Sequence, residues 1–580
     1  MRALLLAALC AGAVSAQTAS EIRGAINRSL PVLQRSAASF VAQRACVSCH
    51  HNILPILMLR MAADRGFDID RNILDEVGKK TFHGIRTPEA LDDAIQATTL
   101  NDPTPNDSFL LMAANTAGIR PDLTLAVYAT RLASWQRDGH WITSDFRPPH
   151  SSSIFTATAT AIRAIQLYMP EELRTERDAS IERARRWLNT ARPMSTEDAS
   201  FRLLGLVWAN AGKSEIDMAR HDLLAFEKEA GGWPQLPSYP PDAYSTGEAL
   251  FALHESGVPL TNADWRRGLK FLITTQALDG TWRVRTRMLS PASVSPKYFT
   301  TGFPYKRDEY ISYAGSTWAT MALLSAVLAN ANRDGSGLRA VPPPWIRTAL
   351  FGTAQQLEAA LDAGLDPNAK TERGTTLLMM AAPNAEKVRL LLARGADTKA
   401  TTQSGRSALI IAAAYRGTAE SLRLLLEAGA TDQSRELVMA AMSGDLENVK
   451  VLAEHGVEPS AALAQAVTFG YPDIVELLIR KGANAKMTER SGINLLHWAA
   501  IANRPEVVAT LSTAGALINA RDENGFTPLM YAATIDFGDS EIVKALLRAG
   551  ADPSIRNGDG RSAREQARYF HHTQIEDALR

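Results

Sequence analysis

The sequence predicts an all-α protein made of two helical repeat systems in series, an N-terminal α/α toroid followed by a solenoid. Three observations carry that prediction. Seven glycines recur at spacings of 26 to 35 residues from Gly364 to Gly550. A slower recurrence, running from Gln through Asp-Gly to Trp, occupies residues 20–340, and the helices between its turns alternate between charged amphipathic and almost wholly apolar. The chain of 580 residues, 46% hydrophobic and 21% charged, has the composition of a core-forming protein of several domains. Lys+Arg and Asp+Glu are each 62, and no basic stripe is present, which argues against nucleic-acid binding.

Residues 1–16 have the pattern of a secretory signal: Arg2, an apolar run from Ala3 to Val14, then Ser15 and Ala16. The mature chain is expected to begin at Gln17. Leu9 stands where a lipoprotein signal would place a small residue, so Cys10 is not read as a lipid anchor. No later stretch reaches the roughly 18 to 20 apolar residues of a membrane span. These features predict an exported bacterial protein, periplasmic or secreted.

Only Cys46 and Cys49 remain after signal removal, in the segment Cys46-Val47-Ser48-Cys49-His50. That is the spacing of haem c attachment, in which two thiols add to the vinyl groups and the adjacent histidine ligates iron. Cys46, Cys49 and His50 are therefore candidate residues for a covalent haem c, with His50 on the iron. By separation along the chain, His83 or Met112 is the candidate for the sixth ligand. Two other readings stay open: a local Cys46–Cys49 disulfide, suited to an oxidising compartment, or a partial zinc site completed by His50 or His51.

Residues 17–331 form the first repeat system. Gln136-Arg137-Asp138-Gly139-His140-Trp141 and Gln276-Ala277-Leu278-Asp279-Gly280-Thr281-Trp282 are clear copies, and Gly231-Gly232-Trp233 is a degraded one. The separations of 92 residues (Trp141 to Trp233) and 49 residues (Trp233 to Trp282) imply a copy near residue 190 that has lost its tryptophan. Each turn follows a charged helix such as Leu123–Trp135 or Trp265–Thr275. Each precedes an apolar, small-residue helix such as Ile154–Tyr168, Thr246–His254 or Ser316–Asn330. A polar-faced helix alternating with an apolar one suits the outer and inner rings of a toroid. This half resembles the squalene and hopene cyclase and prenyltransferase superfamily, whose turn motif also runs from Gln through Gly to Trp. The resemblance implies a cyclase-like toroid without the usual chemistry. The Asp-rich acid segment is absent, since Asp68-Ile69-Asp70 is followed by Arg71 and Asp92-Asp93 stands alone. A zinc site using cysteine is excluded after Cys49. Acids such as Asp242, Glu248, Asp308 and Glu309 are the residues an enzyme reading would use, and no catalytic residue is assigned.

Asn332 to Pro344 reads as a linker, Gly-rich and then triple-Pro, between halves that fold separately. From residue 345 to 580 the glycine column, with Gly364, Gly395, Gly429, Gly456, Gly482, Gly515 and Gly550 spaced by 31, 34, 27, 26, 33 and 35 residues, follows one apolar helix after another. A second column of helix caps (Thr376, Ser407, Asn494 and Thr527) and a third of paired alanines keep register with it. These columns resemble ankyrin repeats: about seven, two of them shortened, with a C-terminal cap. The fingers between Asp432 and Asn484 are expected to be abbreviated while the helix pairs remain. The resemblance implies a protein partner on the solenoid surface. The leading expectation is an exported binding or scaffold protein. An electron-transfer protein carrying haem c is the main alternative, and a toroid enzyme acting on a lipid or polysaccharide is the other.

Overall fold

The computed structural model describes residues 16–44, 48–97, 103–143, 147–150, 152–288, 301–329, 343–431, 435–456 and 458–580. The expected signal segment, apart from Ala16, and the linker up to residue 342 lie outside the described residues. Among the described residues the chain is helical, and β structure is limited to isolated bridges such as Lys370–Thr376 and Thr488–Asn494. No described helix is long and apolar enough to cross a membrane.

In the N-terminal half, the helices Leu54–Ala63, Ser108–Thr116, Ile154–Tyr168, Thr196–Trp208, Ala243–Glu255 and Glu309–Ser325 each pack on the next, and the last packs on the first. Their small residues allow this closeness. Ala157 to Ala161 are all buried, and a Cβ on Gly247 would lie 2.5 Å from the Trp318 carbonyl carbon. A second set of helices, including Leu123–Ser134, Arg174–Thr190, Lys213–Leu224 and Ala263–Thr275, flanks this closed series. Arg174–Thr190 buries only Ser180, Ala184 and Leu188, whereas Glu309–Ser325 is buried along almost its whole length. The polar and apolar helices of the sequence thus occupy different layers.

The Trp turns join the layers through repeated hydrogen bonds. The indole N–H of Trp141, Trp233 and Trp282 donates to the carbonyls of Leu132, Leu223 and Leu272 at 2.6, 2.9 and 2.8 Å, satisfying the end of the preceding helix. The backbone N–H of each donates to a hydroxyl of the following helix: Thr158 at 3.1 Å, Thr246 at 2.9 Å and Ser316 at 3.0 Å. In the copy without tryptophan, buried Arg202 donates to Leu188 O at 2.7 Å and Asn189 O at 3.0 Å. The guanidinium there takes the carbonyl-capping role of the indole. The glutamine of each clear copy reaches sideways: Gln136 Nε2 to Ser180 O at 2.8 Å, Gln276 Nε2 to Ala25 O at 2.9 Å. The second bond ties the last turn to the first described helix, Ala16–Gln43, and closes the array.

The C-terminal half is a series of short helix pairs, beginning with Pro344–Phe351 and Ala354–Asp362. Thr376, Ser407, Asn494 and Thr527 cap their helices as expected, each side-chain oxygen accepting from a backbone N–H three residues on. Gly482 (φ +94°) and Gly550 (φ +93°) end helices in the left-handed region. Between Gly429 and Gly482 the pairs Arg435–Ser443 with Leu446–Ala453 and Ser460–Phe469 with Pro472–Arg480 persist despite the short repeats.

One buried lysine holds the first pair in place. Lys387 Nζ donates to Ala349 O at 2.9 Å and Leu350 O at 3.3 Å, at the C-terminal end of Pro344–Phe351. Burial lowers its pKa from 10.5 to about 8. Lys387→Met is expected to cost about 1–3 kcal/mol at pH 7, because buried carbonyls lose their donor. The unfolded chain binds more protons than the folded one between pH 8 and 10.5, so the parent's stability relative to the variant should rise across that window. Urea titrations of both proteins at pH 7 and pH 10 test the cost and its sign.

The two halves share a continuous buried core. Near the first repeats, Thr371 donates to Asp92 at 2.5 Å and Ser404 to Gln96 at 2.5 Å. In the middle repeats, the Trp135 indole donates to Ala414 O at 2.9 Å, and Arg137 pairs with Asp473 at 3.3 Å. At the last repeats, Tyr239 donates to Asp536 at 3.0 Å while Met288 and Ile535 form a β-bridge. The solenoid therefore lies along the N-terminal half from end to end. The linker composition describes the connecting chain and says nothing about this interface, whose residues look in sequence like ordinary helix and turn positions.

Candidate functional site

The described end of the CxxCH segment, from Ser48 to His50, leads into the interior of the N-terminal half. Cys46 and the Cys49 side chain lie outside the described residues. Cys49–Ile53 forms one π-helical turn before the inner helix Leu54–Ala63. Such turns occur frequently at functional sites. Ser48 and Asn52 fix it: the Ser48 N–H donates to Asn52 Oδ1 at 2.9 Å, and the His51 N–H donates to Ser48 Oγ at 3.0 Å.

His51 is buried and sandwiched between Phe40 (ring centres 4.9 Å, 12° apart) and Tyr313 (4.1 Å, 9°). Burial pulls its pKa down to about 3, so it is neutral at physiological pH. His50 is half-buried. Its Nδ1 lies 2.5 Å from Nδ1 of His51, and one of the two rings donates to the other. Burial, and after it the neighbouring His51, His150 and Arg147, hold His50 well below the usual histidine range. With Nδ1 engaged, a metal would meet His50 at Nε2.

His50 faces His150 with ring centres 6.1 Å apart and Tyr310 at 5.8 Å. His150, 4% exposed, bonds through Nδ1 to the Tyr244 hydroxyl at 3.1 Å. That hydroxyl donates to Glu197 Oε2 at 3.2 Å, and Thr156 donates to Glu197 Oε1 at 2.7 Å. The Tyr244 hydroxyl thus links His150 Nδ1 to Glu197 and leaves Nε2 as the nitrogen turned from this chain.

Of the four acids named from sequence, only Glu248 joins this interior cluster. It is 1% exposed, and among the described residues neither of its oxygens has a hydrogen bond of good geometry. Burial first, then the charge of Glu197, raises its pKa well above the ordinary carboxylate value, and burial likewise raises Glu197. Asp242 instead caps Ala243–Glu255, accepting from the Ser245 N–H at 3.0 Å and from Gln235 at 2.8 Å. Asp308 pairs with Arg283 at 2.9 Å, and Glu309 accepts from Thr301 N–H at 2.7 Å.

The structure brings His50 beside His150 rather than beside either residue expected from chain separation. His83 is exposed in the short helix His83–Arg86. Met112 is half-buried on Ser108–Thr116, a helix that does pack on the Cys49–Ile53 turn. It is Phe109 of that helix that meets His150, at 6.1 Å. Sequence reading also missed Glu197. Two residues after the cap Ser195, it looks like any acid favoured in the first turn of a helix.

Comparison with known proteins identifies the C-terminal half. A family model described as ankyrin repeats (3 copies) matches residues 346–436, 378–462 and 463–557. Residues 346–557 are ankyrin repeats. Over 235 residues the chain is 31% identical to the ankyrin repeat and KH domain-containing protein mask-1 of Caenorhabditis elegans, covering 38% of this chain and 9% of that protein. It is 32% identical over 157 residues to the E3 ubiquitin-protein ligase KEG of Arabidopsis thaliana (25% and 10%). It is 40% identical over 111 residues to glycerophosphocholine phosphodiesterase gde1 of Schizosaccharomyces pombe (19% and 10%). The chain thus spans about a tenth of the length of these relatives.

Proposed function

We propose that this chain is an exported, periplasmic or secreted c-type haem protein with an electron-transfer role, in which a cyclase-like helical toroid houses the haem and a docked ankyrin array supplies a protein-binding surface. The observation that carries this reading is the placement of His50 inside the N-terminal half, opposite His150 and among aromatic rings. The residues fit the group. Cys46 and Cys49 would hold it through thioether bonds, and His50 would ligate iron through Nε2. Phe40, Phe109, Tyr310 and Tyr313 supply flat apolar faces and exclude water, and Arg147 puts positive charge near His50, suited to a propionate. Bound haem would supply a one-electron couple. His51 braces His50, and neutral histidines spare the enclosed site an added positive charge.

The ankyrin array already has one bound surface, the N-terminal half of its own chain. A separate protein partner would use the remainder of the solenoid. The KH domain, ubiquitin-ligase and phosphodiesterase functions in the relatives' names are not carried over, because the match is confined to the repeats.

The test is expression with the signal in a bacterium equipped for cytochrome c maturation, followed by the reduced pyridine haemochrome spectrum. Covalent haem is expected in the parent and absent from a Cys46→Ala, Cys49→Ala double variant. Folded parent protein without haem would overturn the proposal.

A further inference from the structure

We infer that His150 is the second axial ligand of the iron, opposite His50. The inference rests on the haem reading above and adds a residue that neither the CxxCH pattern nor chain separation identifies.

Three observations support it. First, the His50 and His150 ring centres are 6.1 Å apart. Two imidazoles on opposite sides of one metal ion, with metal–nitrogen bonds of about 2.0–2.1 Å and about 1.1 Å from nitrogen to ring centre, stand a little over 6 Å apart, against about 5 Å at adjacent tetrahedral positions. Second, both rings are held at Nδ1, His50 by His51 at 2.5 Å and His150 by the Tyr244 hydroxyl at 3.1 Å. A ligating histidine is characteristically fixed in this way, its other nitrogen bonded to a partner that sets tautomer and orientation. Third, the buried chain Thr156–Glu197–Tyr244–His150 anchors the second ring to three inner helices. Thr156 and Tyr244 both bond to Glu197, and Tyr244 meets His150 at Nδ1, so Nε2 is the nitrogen a metal would meet. The ring planes cross at 75°, which axial imidazoles tolerate because both need only stand upright on the macrocycle.

The chemical consequence concerns what the iron can do. Two histidines occupying both axial positions make an electron-transfer centre, with no open position for an exogenous ligand or for oxygen activation. Methionine ligation by Met112 would instead raise the potential.

The experiment uses the full mature chain with haem attached. Absorption and electron paramagnetic resonance spectra of the ferric parent are expected to show six-coordinate, low-spin haem without a methionine–iron charge-transfer band. His150→Gly should convert the iron to a high-spin form, and added imidazole should restore the low-spin spectrum, a rescue that a purely structural role would not produce. Met112→Ala and His83→Ala should leave the spectrum unchanged. Circular dichroism establishes that each variant is folded, and Tyr244→Phe, which keeps the ring but removes the hydroxyl, should retain low-spin haem with altered ligand-field features. The inference is overturned if His150→Gly remains low-spin, if Met112→Ala or His83→Ala becomes high-spin instead, or if the parent itself is high-spin. Absence of covalent haem in the folded parent would overturn the haem reading itself and is read separately, from the haemochrome spectrum.

Discussion

Replacing Trp233 with alanine is expected to lower the unfolding free energy by about 3–5 kcal/mol, the range for removing a large aromatic from a packed core. Trp233 is fully buried, and a Cβ on neighbouring Gly268 would lie 2.7 Å from its ring, so helix Ala263–Thr275 is shaped around the indole. The residue makes two layer-joining hydrogen bonds: the indole N–H to Leu223 O at 2.9 Å, which the alanine variant loses, and the backbone N–H to the Thr246 hydroxyl at 2.9 Å, which it keeps. Trp233→Phe keeps the backbone bond and much of the packing but strands the Leu223 carbonyl, and should cost about 1–3 kcal/mol. Denaturant titration of the three proteins gives both figures. A loss below 1 kcal/mol for the alanine variant would show that the tryptophan turns do not hold the two helical layers together.

The second large effect has the opposite sign. Glu248→Gln is expected to stabilise the protein at neutral pH. A carboxyl whose folded pKa is raised contributes stability that is complete below its ordinary value of 4.5 and is lost as pH rises through the folded pKa. Above pH 4.5 the unfolded chain ionises Glu248 while the fold keeps it protonated, at a cost of about 1.4 kcal/mol per pH unit until the folded group also ionises. The neutral amide removes that cost. The variant's advantage should therefore be near zero at pH 4.5 and grow with pH, and stability curves at pH 4.5, 6 and 7.5 measure it. A pH-independent difference would mean that Glu248 ionises in the fold as it does in solvent. Stability surrendered at a buried acid in the interior cluster is the pattern of a residue kept for function rather than for folding.

The two folds were legible for different reasons. The ankyrin columns are dense and local: a glycine, a cap and an alanine pair recur in register, and Thr376, Ser407, Asn494 and Thr527 all take the capping position expected of them. The N-terminal half repeats more slowly, but its turns are readable because each tryptophan makes the same bond to the helix before it. The missing copy is explained only in three dimensions, where Arg202 reaches the same kind of carbonyl from the following inner helix. Contacts between elements distant in sequence were not legible. His150 lies 100 residues from His50 and follows two prolines rather than any recognisable motif. Glu197 is disguised as a helix-start acid, and the interface between the halves uses residues such as Trp135 and Tyr239 that have no pattern of their own. The CxxCH segment marks His50, and only the fold brings His150 beside it.

The most direct test of the account is the intact mass of the full-length product purified after export from cells that mature cytochromes c. The account predicts the mass of a chain beginning at Gln17 plus one haem, with the added mass confined to the proteolytic peptide containing Cys46 and Cys49. A chain lighter by two hydrogens, with those cysteines joined to each other, or an unmodified chain with free thiols, would contradict it.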